Sequence, residues 1–476
     1  MSLSRRVTGG AALQLGARLF SSAVALVVTA VVLARTLPEA EYGRFCFYLT
    51  LYLLTMSLVD FGVNKAAIRL VAAGEETRGE VIDAAIRLKA IAGAAAFLIM
   101  SVLALVAEDG LGTRVGLVIA ALHALGHGFG AASIGFEVDV RFRVPAQSVV
   151  IGQAVFLLGG LALALGSVDE ASPYLIAWGS GLVVQNLWMW SRWRAVEPGK
   201  ASRLDSALVR RLIREAAPLG LSAVAVAIYY YTDTLMLRPI HGEEEVAQYS
   251  TAYRLMGVGL MVPVLFSQVL FPVFTRCRQR GGDMLASAVH GASFYLALLA
   301  TVGSVVLFSY APEWLELVFG APYRDAAPAL RVVAVAMACV YLTYPHTTAL
   351  IAIGRAADFT RITVVAAVLN VALNLAVLPT YGVVGAAATT LATEAFVLVA
   401  SIWFLHRRVG FTGLSRRLLG PAALAAILAF TIHGPLEEVP WGLAIVATVG
   451  IGAVAAVLMS AFPFSLGVDE ALLETE

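Results

Sequence analysis

Long apolar runs recur along the whole chain, and short polar segments separate them. Each run is close to the roughly 20 residues that a helix needs to cross the hydrocarbon core of a bilayer. Within the runs Ala, Val, Leu, Ile and Gly follow one another without a two-residue alternation, which indicates helices and not barrel strands. The pattern predicts an all-α polytopic membrane protein with about fourteen transmembrane helices, at residues 10–33, 42–64, 86–107, 114–136, 146–166, 173–191, 216–237, 247–271, 287–308, 327–350, 360–378, 383–405, 417–434 and 440–462.

The composition agrees with this pattern. Of the 476 residues, 60% are apolar and only 14% are charged, whereas roughly 25% are charged in ordinary soluble domains. This balance excludes a water-soluble enzyme, and a net charge of +1 gives no basic excess that would indicate nucleic acid as a partner. Cys46, Cys277 and Cys339 lie far apart and follow no metal-ligand spacing. We therefore expect no metal, no cofactor and no enzymatic activity.

The lysines and arginines set the predicted orientation. If the N-terminus is cytoplasmic, most of the 33 basic residues fall in cytoplasmic loops, as the positive-inside rule requires. Both termini are then cytoplasmic, in the plasma (inner) membrane. The outer loops hold Arg35, Arg44, Arg114, Arg238, Arg324 and Arg331, and the spans themselves contain Arg18, Lys65 and Arg254.

A hydrophilic segment near the middle of the chain divides the predicted helices into two sets. Residues 195–215 form a cytoplasmic linker, in which Leu204, Leu208 and Leu212 share one face of a basic amphipathic helix. This helix either lies on the anionic inner leaflet or simply joins two bundles. The predicted domains are an N-terminal lobe at 1–194 (helices 1–6), a C-terminal lobe at 216–408 (helices 7–12), and helices 13–14 with a cytoplasmic tail at 409–476.

Two similar segments support this division. Residues 33–45 align without gaps with residues 237–249, and each forms the outer hairpin after the first helix of its lobe. Because six helices per lobe leave both lobes the same way up, the two lobes are predicted to be related by a pseudo-two-fold axis normal to the membrane.

An ordered set of short motifs carries a family resemblance. These are Leu37–Gly43, Val59–Val63 with Arg69, Asp233–Met236, Gln248–Leu255, Leu270–Pro272, Phe319–Tyr323, Ala326–Leu330, Gly354-Arg355, Asn370, Asn374 and Pro379–Ala387. Over about residues 1–410 the chain resembles the polysaccharide-biosynthesis and O-antigen flippases of the multidrug/oligosaccharidyl-lipid/polysaccharide (MOP) exporter superfamily.

The resemblance implies both a fold and a function. It implies two six-helix lobes around a central cavity, with two extra C-terminal helices. It also implies translocation of a polyprenyl-diphosphate-linked oligosaccharide across the plasma membrane by alternating access, for cell-surface polysaccharide assembly. The implied partners are this lipid-linked glycan, membrane lipids, a coupling cation (a proton or sodium) and pathway proteins such as a polysaccharide polymerase.

Basic residues inside the spans are candidates for substrate binding. Arg18 and Arg254 lie well inside helices 1 and 8, where a charge is costly. A guanidinium fork matches phosphate oxygens, so both could hold the carrier diphosphate. The alternative is that each side chain extends to the nearer interface, but related flippases carry arginines on their first and eighth helices. Lys65, near the inner end of helix 2, is the third candidate.

Three acids within the spans are candidates for ion coupling. Asp60 lies near the inner end of helix 2, with Lys65 and Arg69 close in sequence. These three residues form an ion-coupling carboxylate beside a headgroup-binding cation, or an internal ion pair, or simply a solvated helix end. Asp233 lies near the outer end of helix 7, and Glu394 lies in the middle of helix 12. Each either couples transport to a cation or hydrogen-bonds between helices.

Other classes of membrane protein remain open alternatives. A lipid II-type peptidoglycan precursor flippase would handle the same carrier chemistry. A multidrug or cation antiporter on the same fold would favour acids over arginines in its cavity. A membrane glycosyltransferase would normally carry a large outer loop or domain, and the outer loops here are short.

The orientation can be tested by cysteine labelling. Lys200→Cys and Glu243→Cys, each introduced after replacement of Cys46, Cys277 and Cys339, place one thiol inside and one outside. A membrane-impermeant maleimide should label position 243 on intact cells and position 200 only after lysis. Labelling of position 200 on intact cells, or protection of position 243 there despite labelling after lysis, would contradict the fourteen-helix orientation.

Overall fold

The computed structural model describes residues 16–17, 19–74, 77–106, 111–139, 141–196, 205–409 and 439–461, with isolated positions between 420 and 432. These residues form helices and contain no strand, which confirms the predicted all-α class. The helices are α1 (Leu19–Thr36), α2 (Glu39–Asp60), α3 (Val63–Ala73), α4 (Arg78–Val106), α5 (Leu111–Gly130), α6 (Ser133–Val138), α7 (Arg143–Leu165), α8 (Ala171–Val196), α9 (Ser206–His241), α10 (Glu243–Gly259), α11 (Met261–Arg280), α12 (Gly282–Ser309), α13 (Ala311–Val318), α14 (Ala327–Ala352), α15 (Ala356–Val409) and α16 (Trp441–Ala461).

Among the described residues, nine helical segments are long and apolar enough to cross a membrane. Many large apolar side chains on these helices are exposed, Leu105 and Leu165 among them. In water such a surface would be unfavourable, whereas in a bilayer it contacts lipid tails. The protein is therefore a multi-pass membrane protein, as its sequence predicts.

Helix α15 contains two of the predicted spans. Its 54 residues would be about 80 Å long if straight, more than twice the roughly 30 Å of a bilayer core. Gly382, with φ 49° and ψ −130°, interrupts the helix between the spans predicted at 360–378 and 383–405. Arg408 at the far end donates from Nε to Oδ2 of Asp358 in the first turn, at 3.1 Å. The segment therefore turns back at Gly382 and forms a helical hairpin.

The described chain divides into two compact units, Met1–Ala247 and Gln248–Glu476. Helix α9 belongs to the first unit, where it packs on α2 and α3. The predicted lobe boundary, in contrast, lies in the linker at 195–215, which overlaps the start of this helix. The division into lobes therefore stays a prediction.

The C-terminal part of the chain packs within the second unit. Predicted helix 14 corresponds to α16, and three positions of predicted helix 13, Leu424, Leu428 and Ile432, are buried. They contact apolar residues of α12 and its C-terminal end, among them Phe294 and Val306. The predicted cytoplasmic tail after residue 461 lies outside the described residues.

The amphipathic segment of the predicted linker forms the first turns of α9. Leu208 and Leu212 are buried in the core of the first unit, against residues of α3 and α8 such as Leu70 and Trp193. Arg210 on the opposite face is exposed. Because protein already covers the apolar face, the alternative in which these leucines lie in the inner leaflet is wrong. Leu204 and residues 197–203 of the linker lie outside the described residues.

A break between α2 and α3 shapes the interior of the first unit. Phe61 and Gly62 both adopt left-handed backbone conformations, with φ of 36° and 73°. The Phe61 carbonyl packs on Gly220 of α9 so closely that a Cβ at Gly220 would lie 2.4 Å from the Phe61 oxygen. Since only glycine permits this approach, Gly220 and the break in helix 2 depend on each other.

The two similar segments of the sequence touch each other in the first unit. Arg44 donates from Nε to Oε1 of Glu243 at 3.3 Å, and Arg238 binds the same carboxylate oxygen at 3.1 Å. The backbone of Gly43 lies against the start of α10, where a Cβ would be 1.8 Å from the Glu243 carbonyl oxygen. The missing side chain of Gly43 therefore allows the two hairpins to meet.

Substitution of Gly43 by alanine tests this contact. The added methyl group must push the start of α10 away, and overpacking of this kind costs about 1–3 kcal/mol. Gly43→Ala should lower the thermal unfolding temperature of the purified protein in detergent. The matched control is Gly257→Ala in α10, where an added Cβ meets no atom within 4 Å. If both variants unfold at the wild-type temperature or above, the close approach at Gly43 is refuted.

Candidate functional site

A polar cavity of about 280 Å³ lies inside the first unit. Residues from α2 to α8, together with Ala17, surround it. The polar side chains in its wall are Tyr52, Asn64, Lys89, Ser133, Glu137, Ser148, Gln185 and Asn186. This is a large set of hydrogen-bonding groups for the inside of a membrane-spanning bundle, where polar groups are costly without partners.

Lys89 is the central charge of this cavity. Its side chain is 1% exposed, and its Nζ lies 2.9 Å from Oδ1 of Asp60 and 3.1 Å from Oδ1 of Asn64. A buried ammonium group in hydrocarbon is stable only when it is paired. The ion pair with Asp60 supplies that partner, and Glu137 adds a further favourable electrostatic interaction.

The helix break explains how the sequence builds this ion pair. Because α2 ends at Asp60, the carboxylate lies at a helix C-terminus, where the helix dipole disfavours negative charge. The ammonium group of Lys89 offsets this cost. Asn64 lies in the first turn of α3, just beyond the break, and reaches the same ammonium group. The break thus places two oxygen atoms from consecutive helices around one cation.

Of the three predicted substrate-binding residues, the structure describes Lys65 and Arg254. Arg18 lies outside the described residues. Lys65 is exposed on α3, and Arg254 is half-buried in α10 within the second unit. The structure does not test their predicted role, which stays a prediction.

The cation that pairs with Asp60 is not one of those that the sequence indicated. Asp60 forms its ion pair with Lys89 of α4 and not with Lys65 or Arg69. Arg69 instead lies 3.7 Å from Glu215 of α9. The reason is the break at Phe61 and Gly62, which separates Asp60 from the helix that carries the two nearby cations. An internal ion pair among these three residues does not form in the described structure, because Asp60 pairs with a lysine of another helix.

The other two candidate acids are buried. Asp233 of α9 is 1% exposed, and Glu394 in the second half of α15 is 5% exposed. Glu394 follows Thr393, whose Oγ1 lies 3.4 Å from Nδ2 of Asn370. Asn374 donates to Oδ1 of Asn370 at 3.1 Å, so an amide and hydroxyl network crosses the α15 hairpin. Their role in ion coupling is likewise untested.

A separate hydrogen bond joins the α15 hairpin to a neighbouring helix of the second unit. The hydroxyl of Tyr249, in α10, lies 3.0 Å from Oγ1 of Thr390. Tyr249 and Thr390 are both buried. Asn370 and Asn374, both fully buried, belong to the motifs that carry the family resemblance. The hydrogen bond from Asn370 to Thr393 joins the two arms of the α15 hairpin, and Asn374 supports Asn370 from the same arm.

Three arginines converge on one acid at the other end of this hairpin. The Asp358 carboxylate is fully buried and accepts hydrogen bonds from Arg355 at 2.9 Å, Arg361 at 3.1 Å and Arg408 at 3.1 Å. Charge-assisted bonds of this kind are stronger than neutral ones. The cluster joins both ends of α15 to the turn before it.

Lys89 is the residue that sequence reasoning missed. It lies near the predicted start of helix 3, where the positive-inside rule assigns it to the cytoplasmic side. A signal was present in the pattern, since Ile82, Ala85 and Ile86 of α4 are buried and lie seven, four and three residues before Lys89. At helical spacing these positions share one face with it. A lysine on the buried face of a membrane helix indicates a functional or structural partner.

The fold and the buried polar clusters together define a multi-pass helical membrane protein with a partly polar interior. The chain belongs to the polysaccharide biosynthesis protein family, whose profile matches residues 10–278. The predicted family resemblance is thereby confirmed.

Two curated relatives align with most of the chain. An uncharacterised membrane protein of Methanocaldococcus jannaschii is 23% identical over 440 residues, which cover 86% of this chain and 85% of that protein. A probable low-salt glycan biosynthesis flippase of Haloferax volcanii, Agl15, is 21% identical over 404 residues, covering 81% and 83%.

Solved structures share the fold. The lipid II flippase MurJ in an inward closed conformation has a TM-score of 0.76 at 14% identity, covering 94% of this chain and 98% of MurJ. A multidrug resistance transporter of the MATE family, within the MOP superfamily, in an inward-facing conformation has a TM-score of 0.68 at 15% identity, covering 84% and 98%. These similarities establish the architecture and not the substrate.

Removal of the buried cation tests the ion pair. Lys89→Met leaves Asp60 without its partner inside the bundle. The expected loss is about 3 kcal/mol in the free energy of unfolding, at the lower end of the range for buried pairs, because Asp60 is 32% exposed. The measurement is denaturant unfolding of the purified protein in detergent.

Two further variants complete this experiment. Asp60→Asn combined with Lys89→Met should recover most of the loss, because no charge then lacks a counter-charge. Lys65→Met, at an exposed lysine, is the matched control and should change stability by less than about 0.5 kcal/mol. Equal stability of Lys89→Met and Lys65→Met would show that the pair contributes nothing.

Proposed function

We propose that this protein is a flippase that translocates polyprenyl-diphosphate-linked oligosaccharide across the plasma membrane for the assembly of cell-surface polysaccharide. The observation that carries the proposal is the family match over residues 10–278. The similarity to a probable glycan biosynthesis flippase over 404 residues supports the same class of substrate. The protein acts by alternating access, with both termini in the cytoplasm, and performs no chemical reaction.

The buried charges are consistent with this class of substrate. The carrier diphosphate needs cations in a region of low dielectric, and the polar glycan needs hydrogen-bonding groups within the bilayer. In the proposed mechanism Arg254 and Arg18 bind the diphosphate. Lys65, near the inner end of predicted helix 2, is the third residue that binds the substrate. The polyprenyl tail stays in contact with lipid, since the outer faces of the helices are apolar.

We further propose that a monovalent cation, a proton or sodium, drives the return of the substrate-free protein to its inward-facing conformation. Glu394 is the favoured coupling group because a buried carboxylate in a membrane helix is costly unless it is protonated or paired with a cation. Asp233, equally buried, is the second candidate. Asp60 is less suited, because Lys89 already neutralises it.

Two related functions share the fold. A lipid II-type flippase and a multidrug or cation antiporter both correspond to similar solved structures. The glycan flippase is preferred because the family profile is that of polysaccharide biosynthesis proteins. The protein works with membrane lipids and, in our proposal, with a polysaccharide polymerase of the same pathway.

The role of Arg254 can be measured with purified protein. Arg254→Ala should weaken binding of a polyprenyl-diphosphate-linked oligosaccharide about 10- to 150-fold, because a charge-assisted hydrogen bond contributes about 1.5–3 kcal/mol. Arg254→Lys should restore only part of the affinity, since lysine keeps the charge but loses the fork. The measurement is binding to detergent-purified protein and flipping in proteoliposomes.

Arg324→Ala is the matched control in the same unit, since Arg324 is half-exposed and pairs with Glu316. It should bind the lipid like the wild type. Wild-type affinity in Arg254→Ala would remove this arginine from the site. Failure of the wild-type protein itself to flip any lipid-linked glycan would refute the proposed function.

A further inference from the structure

We propose that the cavity in the first unit binds a sugar ring of the lipid-linked glycan, as a subsite separate from the cations that bind the diphosphate. This inference rests on the proposed flippase function and specifies which part of the substrate this cavity takes. It is drawn from the charge balance of the cavity, from its hydrogen-bonding groups and from its size.

The charge of the described wall favours a neutral ligand. Lys89 is the only basic side chain among the described residues that line the cavity, and Asp60 binds it at 2.9 Å. Glu137 lines the same space and interacts electrostatically with Lys89. Together these described groups, one ammonium group and two carboxylates, carry no net positive charge. A neutral, hydrogen-bonding group matches them better than a diphosphate does.

The hydrogen-bonding groups of the wall suit sugar hydroxyls. Gln185 and Asn186, on α8, both line the cavity. Neither carboxamide forms a hydrogen bond with another residue in the described part of the chain. A carboxamide both donates and accepts hydrogen bonds, as does a hydroxyl group. Glu137 adds carboxylate oxygens as acceptors. A sugar ring, with several hydroxyl groups around its edge, satisfies such a set of donors and acceptors.

Tyr52 gives the cavity an aromatic wall. Its ring packs edge-to-face on Trp178, with 4.6 Å between the ring centroids, which fixes its orientation. An aromatic side chain offers a flat apolar face together with a polar group, and the C–H face of a sugar packs on such a surface. The cavity therefore combines the apolar and polar contacts that one sugar ring requires.

The size of the cavity suits one sugar ring. A volume of about 280 Å³ lies just below the roughly 300–1,000 Å³ of typical ligand pockets. This space is sufficient for one sugar ring, and we assign one sugar of the glycan to it.

Size-conserving variants test the subsite. Gln185→Met and Asn186→Leu keep the side-chain volume and remove the hydrogen-bonding groups. Two lipids serve as probes: the lipid-linked oligosaccharide extracted from cells that lack the protein, and a polyprenyl diphosphate of the same chain length without sugar. Each variant should bind the glycan lipid about 5- to 10-fold more weakly. Neither should change its affinity for the sugar-free lipid.

The control is Ser191→Ala, on the same helix outside the cavity wall, where the hydroxyl donates to the Trp188 carbonyl. It should bind both lipids like the wild type. If a folded variant at position 185 or 186 loses affinity for both lipids equally, or for neither, the sugar subsite is refuted while the flippase function stands. If the wild-type protein binds no glycan lipid, the function and the subsite are both refuted.

Discussion

The ion pair between Lys89 and Asp60 determines much of the interior of the first unit. A charged lysine inside a membrane-crossing bundle is stable only with an acid beside it, and Asp60 reaches it because helix 2 ends at that residue. The end of the helix depends on left-handed backbone at Phe61 and Gly62. That backbone in turn fits only because Gly220 of α9 has no side chain. The ion pair, the break between α2 and α3 and the close contact with Gly220 therefore depend on one another.

Hydrophobic patterning predicts the architecture because the bilayer imposes it. Runs of about 20 apolar residues must be helices, since no other open structure satisfies the backbone in lipid. The same reasoning places the turn of the α15 hairpin near Gly382, between two apolar runs. The family resemblance also follows from the sequence, because its motifs occur in order along most of the chain.

The candidate site is less predictable because its residues come from distant parts of the chain. Lys89 and Asp60 are 29 residues apart, and their contact depends on backbone angles at Phe61 and Gly62 that no pattern of hydrophobicity reports. Sequence reasoning grouped Asp60 with Lys65 because the two lie close on a presumed continuous helix. Likewise, Leu208 and Leu212 have the spacing of a membrane-surface helix, and only tertiary packing shows that protein covers them.

The two compact units contain different buried chemistry. The first holds an ammonium group, carboxylates and carboxamides around a cavity, and the second holds asparagines, threonines and Glu394 packed within a helical hairpin. An open polar cavity suits a polar ligand, whereas a packed network with a buried acid suits a small cation. This difference is the physical basis for our proposals of a sugar subsite in the first unit and of Glu394, in the second unit, as the favoured coupling group.

The central claim is that the protein moves lipid-linked glycan from the inner to the outer leaflet. The most direct measurement is the leaflet distribution of polyprenyl-linked oligosaccharide in cells from which the protein has been depleted, read with a glycan-specific probe on inside-out and right-side-out vesicles. The account predicts that the glycan accumulates on the cytoplasmic face and that restored expression reverses this. An unchanged distribution between the two leaflets would contradict it.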